Sequence, residues 1–221
     1  MQNNHVERAA LFDVDGLMVD SEALWFRIFL ETLALRGVHI SRDETASFIS
    51  IQDRVAYEMV RRDKGADFDV EEALAAHSGA YDRRFPYAAI FPGAAEIVRR
   101  CRRLGYKTGI VSGSKQKYID LVLRKIGNDF DVIVNQEDAR SKPDPQGYLM
   151  AAERLGISPD RCMAFEDSST GIAAAKAAGM YTVGVRVGSY GKQNLQADYL
   201  VATLRQVETP LLRKFGLNGN Y

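Results

Sequence analysis

The sequence has little cysteine, histidine or tryptophan, no excess of either charge and no long apolar run. Its 221 residues include two cysteines, Cys101 and Cys162. They lie far apart in apolar stretches, which excludes a disulfide framework or a cysteine-rich metal site and reads as reduced core thiols. The three histidines, His5, His39 and His77, fall outside every polar cluster described below and are assigned no chemistry. Lys plus Arg number 29, and so do Asp plus Glu, so no net basic field offers itself to nucleic acid. No apolar stretch nears the roughly 20 residues that span a bilayer. MQNNHVERAALF places no apolar region behind a basic start, as a secretory leader would. A cytoplasmic monomer with neither nucleic acid nor membrane as partner is therefore expected. What is present, 46% hydrophobic and 26% charged residues, is the composition of an ordinary globular protein. The length fits one large domain, or a core domain with an insert.

The texture changes along the chain. Residues 8–14 (RAALFDV) are continuously apolar up to their acids, as in a central strand buried on both faces. From Asp20 to about Tyr87 the pattern turns helical. Trp25, Phe26, Phe29, Leu30 and Leu33 recur at helical spacing up to Gly37. Ser41 and Glu44 form a capping box that predicts a second helix; Val55, Met59 and Val60 mark a third. Asp69 and Glu72 cap a fourth, which runs to about Phe85. Beyond Pro86 and Pro92, helices and strands alternate: helix 93–104, strand 107–112, helix 115–125, strand 130–135. Asp144 with Pro145 starts another helix, and Ser158 with Pro159 a short turn. Strand 162–166, helix 170–178 and strand 181–185 follow. An edge strand at 198–201, a last helix over 204–215 and a frayed tail from Gly216 complete the reading. The expected fold is an α/β, doubly wound parallel sheet (Rossmann-like), residues 1–19 and 88–221, with an α-helical cap inserted at 20–87.

In such a sheet ligands gather at the carboxyl ends of the strands. The first strand ends in Asp13-Val14-Asp15-Gly16 and the second in Ser112-Gly113-Ser114-Lys115. Lys142 follows the third, and the fourth ends in Glu166-Asp167-Ser168. Asp13 and Asp15, two apart, point to one side of an extended segment. With Glu166 and Asp167 they bring four carboxylates together, a crowding that cations must neutralise. Oxygen-only ligands favour a hard cation, Mg²⁺ first. Lys142 adds a fixed positive charge, and Ser112 with the backbone of the Gly113–Ser114 turn can grip an anion at a helix N-terminus. A metal, a lysine, a hydroxyl and backbone donors around a free carboxylate describe a phosphoryl site.

The segments LFDVDGLMVDSE, GIVSGSK, SKPDP and AFEDSSTGIAAAKAAGM, in this order, resemble the haloacid dehalogenase superfamily. The likeness is to its branch of β-phosphoglucomutases and sugar-phosphate phosphatases with a helical cap. The resemblance implies that Asp13 is the nucleophile that becomes an aspartyl phosphate and that Asp15 is the general acid and base. It implies Ser112 as a phosphoryl-binding hydroxyl and Lys142 as the neutralising cation. Asp13, the Asp15 backbone carbonyl, Glu166 and Asp167 would then hold Mg²⁺.

The expected activity is Mg²⁺-dependent hydrolysis of a small phosphate monoester, a sugar phosphate foremost. Displacing halide from carbon leaves no alkoxide for Asp15 to protonate, so dehalogenation is not expected. Phosphonate hydrolysis in the family uses a cap lysine, and Lys64, in an Arg-rich turn, reads as surface. The alternative is a β-phosphoglucomutase-type hexose-phosphate mutase, which needs basic cap residues for a second phosphate. Ile49 and Asp53 stand where those are expected, and Arg54 is one position off. Ser50, Gln52 and Arg54 are the cap's candidate substrate contacts. A remote alternative is a phospho-accepting signalling module without turnover, which needs neither Asp15 nor a cap.

Overall fold

The computed structural model describes residues 7–41, 44–48, 51–187 and 194–215; Ser50, Ile49, His5 and the tail from Gly216 lie outside them. Six strands form one parallel sheet: β1 (Arg8–Phe12), β2 (Tyr106–Val111), β3 (Val132–Val134), β4 (Cys162–Glu166), β5 (Tyr181–Val185) and β6 (Tyr199–Val201). Their spatial order is β3-β2-β1-β4-β5-β6. This is the expected α/β, Rossmann-like class. The chain builds outward from β1 to β3 on one side and resumes with β4 on the other. The topological switch point therefore lies between β1 and β4, where a doubly wound sheet opens a crevice.

The described residues fall into two compact units, one holding the chain up to Val19 and from Ile90 onward, the other Asp20–Ala89. In the α/β unit, β1 is buried over its whole length, which its unbroken apolar run anticipates. Alternate residues Ala9 and Leu11 of β1, Val132 and Val134 of β3, and Cys162 and Ala164 of β4 face one side. There they meet Tyr148, Ala151 and Ala152 of one helix and Ala174 and Ala175 of another. In the helical unit, α1 (Ser21–Ala34), α2 (Asp53–Asp63) and α3 (Val70–Arg84) enclose Phe26, Phe29, Leu33, Tyr57, Val60 and Ala73. Asp20 caps α1 by accepting from the Ala23 N–H at 3.3 Å, and Asp69 caps α3 through the Glu72 N–H at 2.9 Å. In the α/β unit, α4 (Ala94–Arg103), α5 (Gln116–Ile126), α6 (Gln146–Leu155), α7 (Ser169–Ala177) and α8 (Thr209–Lys214) complete the elements.

Two expected helices differ. The Ser41–Glu44 capping box forms, with the Ser41 N–H donating to Glu44 at 2.7 Å and the Glu44 N–H to the Ser41 hydroxyl at 3.3 Å. It heads only a 3₁₀ segment, Glu44–Phe48. The Ser47 hydroxyl bonds back to the Glu44 carbonyl at 2.7 Å, a local bond that competes with α-helical continuation. The single helix expected over 204–215 is a 3₁₀ turn, Leu204–Gln206, followed by α8. Pro210 has no N–H to give to the preceding turn, so the helix restarts there.

Candidate active site

Asp13 follows β1 directly, and its N–H donates to the Phe165 carbonyl of β4 at 3.1 Å. That bond places it at the switch point. Ser112 follows β2 and Glu166 ends β4. Lys142, in the loop after β3, reaches across: its ammonium donates to Asp13 Oδ1 at 2.5 Å, Glu166 Oε1 at 2.6 Å and the Val111 carbonyl at 2.9 Å. Those three acceptors satisfy all three ammonium protons. Burial opposes that charge, but Asp13 and Glu166 outweigh it and hold the Lys142 pKa above the usual lysine range. Burial pushes the Asp13 carboxyl up to about 8; Lys142 opposes this shift, and the charges of Glu166 and Asp15 add to it.

One carboxylate oxygen each from Asp13, Glu166 and Asp167 lies within 4.8 Å of the other two. The backbone makes room for two of them by omitting side chains. A Cβ on Gly16 would come within 2.0 Å of Asp167 Oδ2, and one on Gly171 within 2.0 Å of Glu166 Oε2. Fully ionised, three carboxylates against one ammonium would carry a double negative charge, and burial with that repulsion is what pushes the Asp13 carboxyl up. That charge and an all-oxygen donor set fit a hard divalent cation.

Asp15 differs from the simple geometric expectation. The chain leaves the strand after Phe12 and turns, with the Gly16 N–H donating to the Val19 carbonyl at 3.0 Å and Gly16 at φ 75°. The Asp15 carboxylate is not part of the three-acid group. Its Oδ2 accepts from the Ser114 hydroxyl at 2.6 Å and from the Ser112 hydroxyl at 3.2 Å. The crowd is thus three carboxylates rather than four, because a turn and two hydroxyls draw Asp15 aside. Ser114 also differs from expectation: its N–H donates to the Ser112 hydroxyl at 3.0 Å, so the backbone grip on an anion expected of Ser114 is already engaged within the turn. Gly113 is exposed beside it, as is Lys115.

Sequence reasoning missed Tyr148, on the first turn of α6. Its hydroxyl donates to Glu166 Oε1 at 2.5 Å, while the Ser168 hydroxyl donates to Oε2 at 3.2 Å. Burial first, then the charge of Glu166, raises the Tyr148 pKa well above its ordinary value. Tyr148 lies among buried apolar residues with Ala151 and Ala152, and that setting carries no local signal of its hydroxyl's role. In the helical unit, Gln52 is exposed at the start of α2 and makes no side-chain capping bond. Arg54 pairs with Glu71 through both terminal nitrogens, Nη2 to Oε2 at 2.9 Å. Phe26 is buried and Trp25 packs against the same core, stacked on Phe29 at 4.7 Å. Lys64 pairs with Glu44 at 2.5 Å, as a surface lysine would.

Fold and strand-end groups together define an enzyme of the doubly wound α/β class. A family model for haloacid dehalogenase-like hydrolases matches residues 7–179, and the chain belongs to that family. It is 35% identical to hexitol phosphatase B of Escherichia coli over 184 residues, 79% of this chain and 82% of that one. To the β-phosphoglucomutase of Bacillus subtilis it is 28% identical, over 94% of each chain. Its backbone matches the crystal structure of a HAD family hydrolase from Deinococcus radiodurans R1 with bound phosphate and sodium. That match has a TM-score of 0.79 and 27% identity, over 93% of this chain and 95% of the other. Among the described residues, no helix is long and apolar enough to cross a membrane.

Proposed function

We propose that this chain is a Mg²⁺-dependent phosphatase that hydrolyses a small phosphate monoester, a sugar phosphate, through an aspartyl phosphate at Asp13. The observation that carries this reading is the meeting of Asp13, Lys142 and Glu166 at the switch point, with Asp15 held apart by Ser112 and Ser114. Asp13, Glu166, Asp167 and the Asp15 carbonyl would hold the cation. When bound, it supplies charge that keeps Asp13 ionised and offsets its repulsion from an anionic ester.

The protein's own groups divide the work. An Asp13 carboxylate oxygen attacks phosphorus, and the bond to the ester oxygen breaks. Asp15 gives its proton to that departing oxygen. The resulting Asp15 carboxylate then takes a proton from water, whose oxygen attacks phosphorus and breaks the bond to Asp13. Phosphate leaves, Asp13 is restored and Asp15 is again protonated. Lys142 balances charge on Asp13 and the phosphoryl oxygens, and the Ser112 hydroxyl and Gly113 N–H bind those oxygens. The helical unit takes the part of a cap that selects the substrate through Gln52 and Ser50.

The β-phosphoglucomutase relative favours one alternative, a mutase acting through a sugar bisphosphate. Hydrolysis is preferred because Arg54, the nearest basic residue to the expected cap position, is paired with Glu71. A second phosphate would have to displace that carboxylate. A signalling module without turnover would have no use for a second acid tethered beside the nucleophile.

The test is phosphate release from a panel of sugar phosphates, nucleotides and glucose bisphosphate, with and without Mg²⁺. Release that needs Mg²⁺ and disappears in Asp13→Asn is expected. Isomerisation of β-glucose 1-phosphate primed by the bisphosphate, without net release, would replace the phosphatase reading with the mutase.

A further inference from the structure

We propose that Tyr148 is a positioning residue, the phenol that fixes Glu166 in the orientation from which it shares the divalent cation. The inference rests on the metal-dependent reading above and adds a residue outside the four strand-end motifs.

Tyr148 belongs by its neighbours to the apolar core. It is fully buried and packs with Val134, Ala151 and Ala152. A phenylalanine would serve that packing equally. The hydroxyl leaves the apolar cluster and donates at 2.5 Å to a carboxylate that is itself 0% exposed. Burying a carboxylate to this depth requires that its lone pairs be met by donors.

The donors to Glu166 come from three different elements. Oε1 accepts from Lys142, in the loop after β3, and from Tyr148 on α6; Oε2 accepts from Ser168, the N-cap of α7. Gly171 closes the remaining side, where any side chain would occupy the carboxylate's own space. Of these contacts, the lysine faces Asp13 and is shared with the nucleophile. The phenol is committed to Glu166 and approaches from the core. Its ring also lies 5.4 Å from the Lys142 ammonium, a distance at which the aromatic face attracts the cation. Tyr148 thus holds both the carboxylate and the charge beside it, without reaching the substrate.

Groups that hold a metal ligand from behind typically change metal affinity or activity by about 10- to 100-fold when removed. Tyr148→Phe removes one oxygen and keeps the ring. Titration calorimetry of Mg²⁺ binding, with no substrate present, is expected to show affinity weakened by about tenfold or more. In a Glu166→Gln background the same substitution is expected to cause no further loss, because the group it orients is gone. An unchanged Mg²⁺ affinity beside a lowered melting temperature would assign Tyr148 to packing alone and overturn the proposal. Absence of Mg²⁺ binding in the parent protein would overturn the metal reading and this proposal together. Should Tyr148→Phe fail to fold, fluorotyrosine at position 148 keeps the shape and alters the donor. A Mg²⁺ affinity that ignores fluorination would equally overturn the assignment.

Discussion

At the carboxyl ends of β1 and β4, two acids share one lysine beside a third acid, whereas the core of the helical unit buries a tyrosine against a histidine. His77 is 2% exposed, with its Nδ1 2.8 Å from the Tyr57 hydroxyl and Trp25, Tyr57 and Tyr81 rings around it. Its Nε2 is buried without a hydrogen-bond partner among the described residues. Burial lowers the His77 pKa against the raising effect of Asp53, and burial raises that of Tyr57. Both groups are thereby kept neutral. In the strand-end cluster the lysine keeps its charge: Lys142 stays protonated between Asp13 and Glu166, beside a group of acids whose oxygens suit a divalent cation. Neutral burial serves packing. Retained charge, at several kcal/mol of desolvation per ion, makes sense where chemistry needs it.

Breaking the charged cluster should have the largest effect. Lys142→Met leaves Asp13 and Glu166 buried without their shared cation. Removing one partner of a buried ion pair costs about 3–5 kcal/mol, measurable by urea unfolding of the metal-free protein. Phosphate release should fall by at least about a hundredfold, as when a charge-stabilising donor is lost. A fold indifferent to this change would mean that the cluster is more hydrated than its 0% exposed Glu166 implies.

The neutral pair should respond less. Tyr57→Phe leaves His77 Nδ1 without its partner, and a buried group so stranded costs about 1–3 kcal/mol. The same unfolding curves check it, and turnover at saturating substrate should stay near the parent's.

The smallest effect is in pH. Because the folded protein holds the His77 pKa below its ordinary 6.5, the unfolded chain binds more protons just below that pH. Stability from His77 is therefore fully present above about 6.5 and lost as pH falls through 6.5 towards the folded value. Unfolding midpoints measured between pH 7.5 and 5.5 should drop more steeply in the parent than in His77→Gln. Parallel slopes would mean that His77 takes up its proton as readily in the fold as in the unfolded chain, and the contrast between the two clusters would fail.

Much of this was legible from local sequence. The apolar run before Asp13 announces a strand buried on both faces, and β1 is one. The alternation after Pro92 announces a parallel sheet, and Asp69 caps the helix it precedes. Where local reading failed, a short-range competitor was at work: Ser47 in the 3₁₀ segment after the capping box, and Pro210 before α8. The partners of His77 and Tyr148 were illegible for another reason. Each of these two residues sits at helical spacing among apolar residues, and periodicity reports which face is buried but not which polar atom meets it there.

The sequence by itself determined the order of strands and helices, the acids, hydroxyls and lysine at the strand ends, and the glycines beside them. These follow from backbone preferences and side-chain periodicity over a few residues. Only the tertiary structure decided that Lys142 lies between Asp13 and Glu166, 129 and 24 residues away, that Ser114 takes Asp15 across 99, and that Tyr148 anchors Glu166. Such partners are set by the order in which strands pair across the switch point, and no local preference encodes that order.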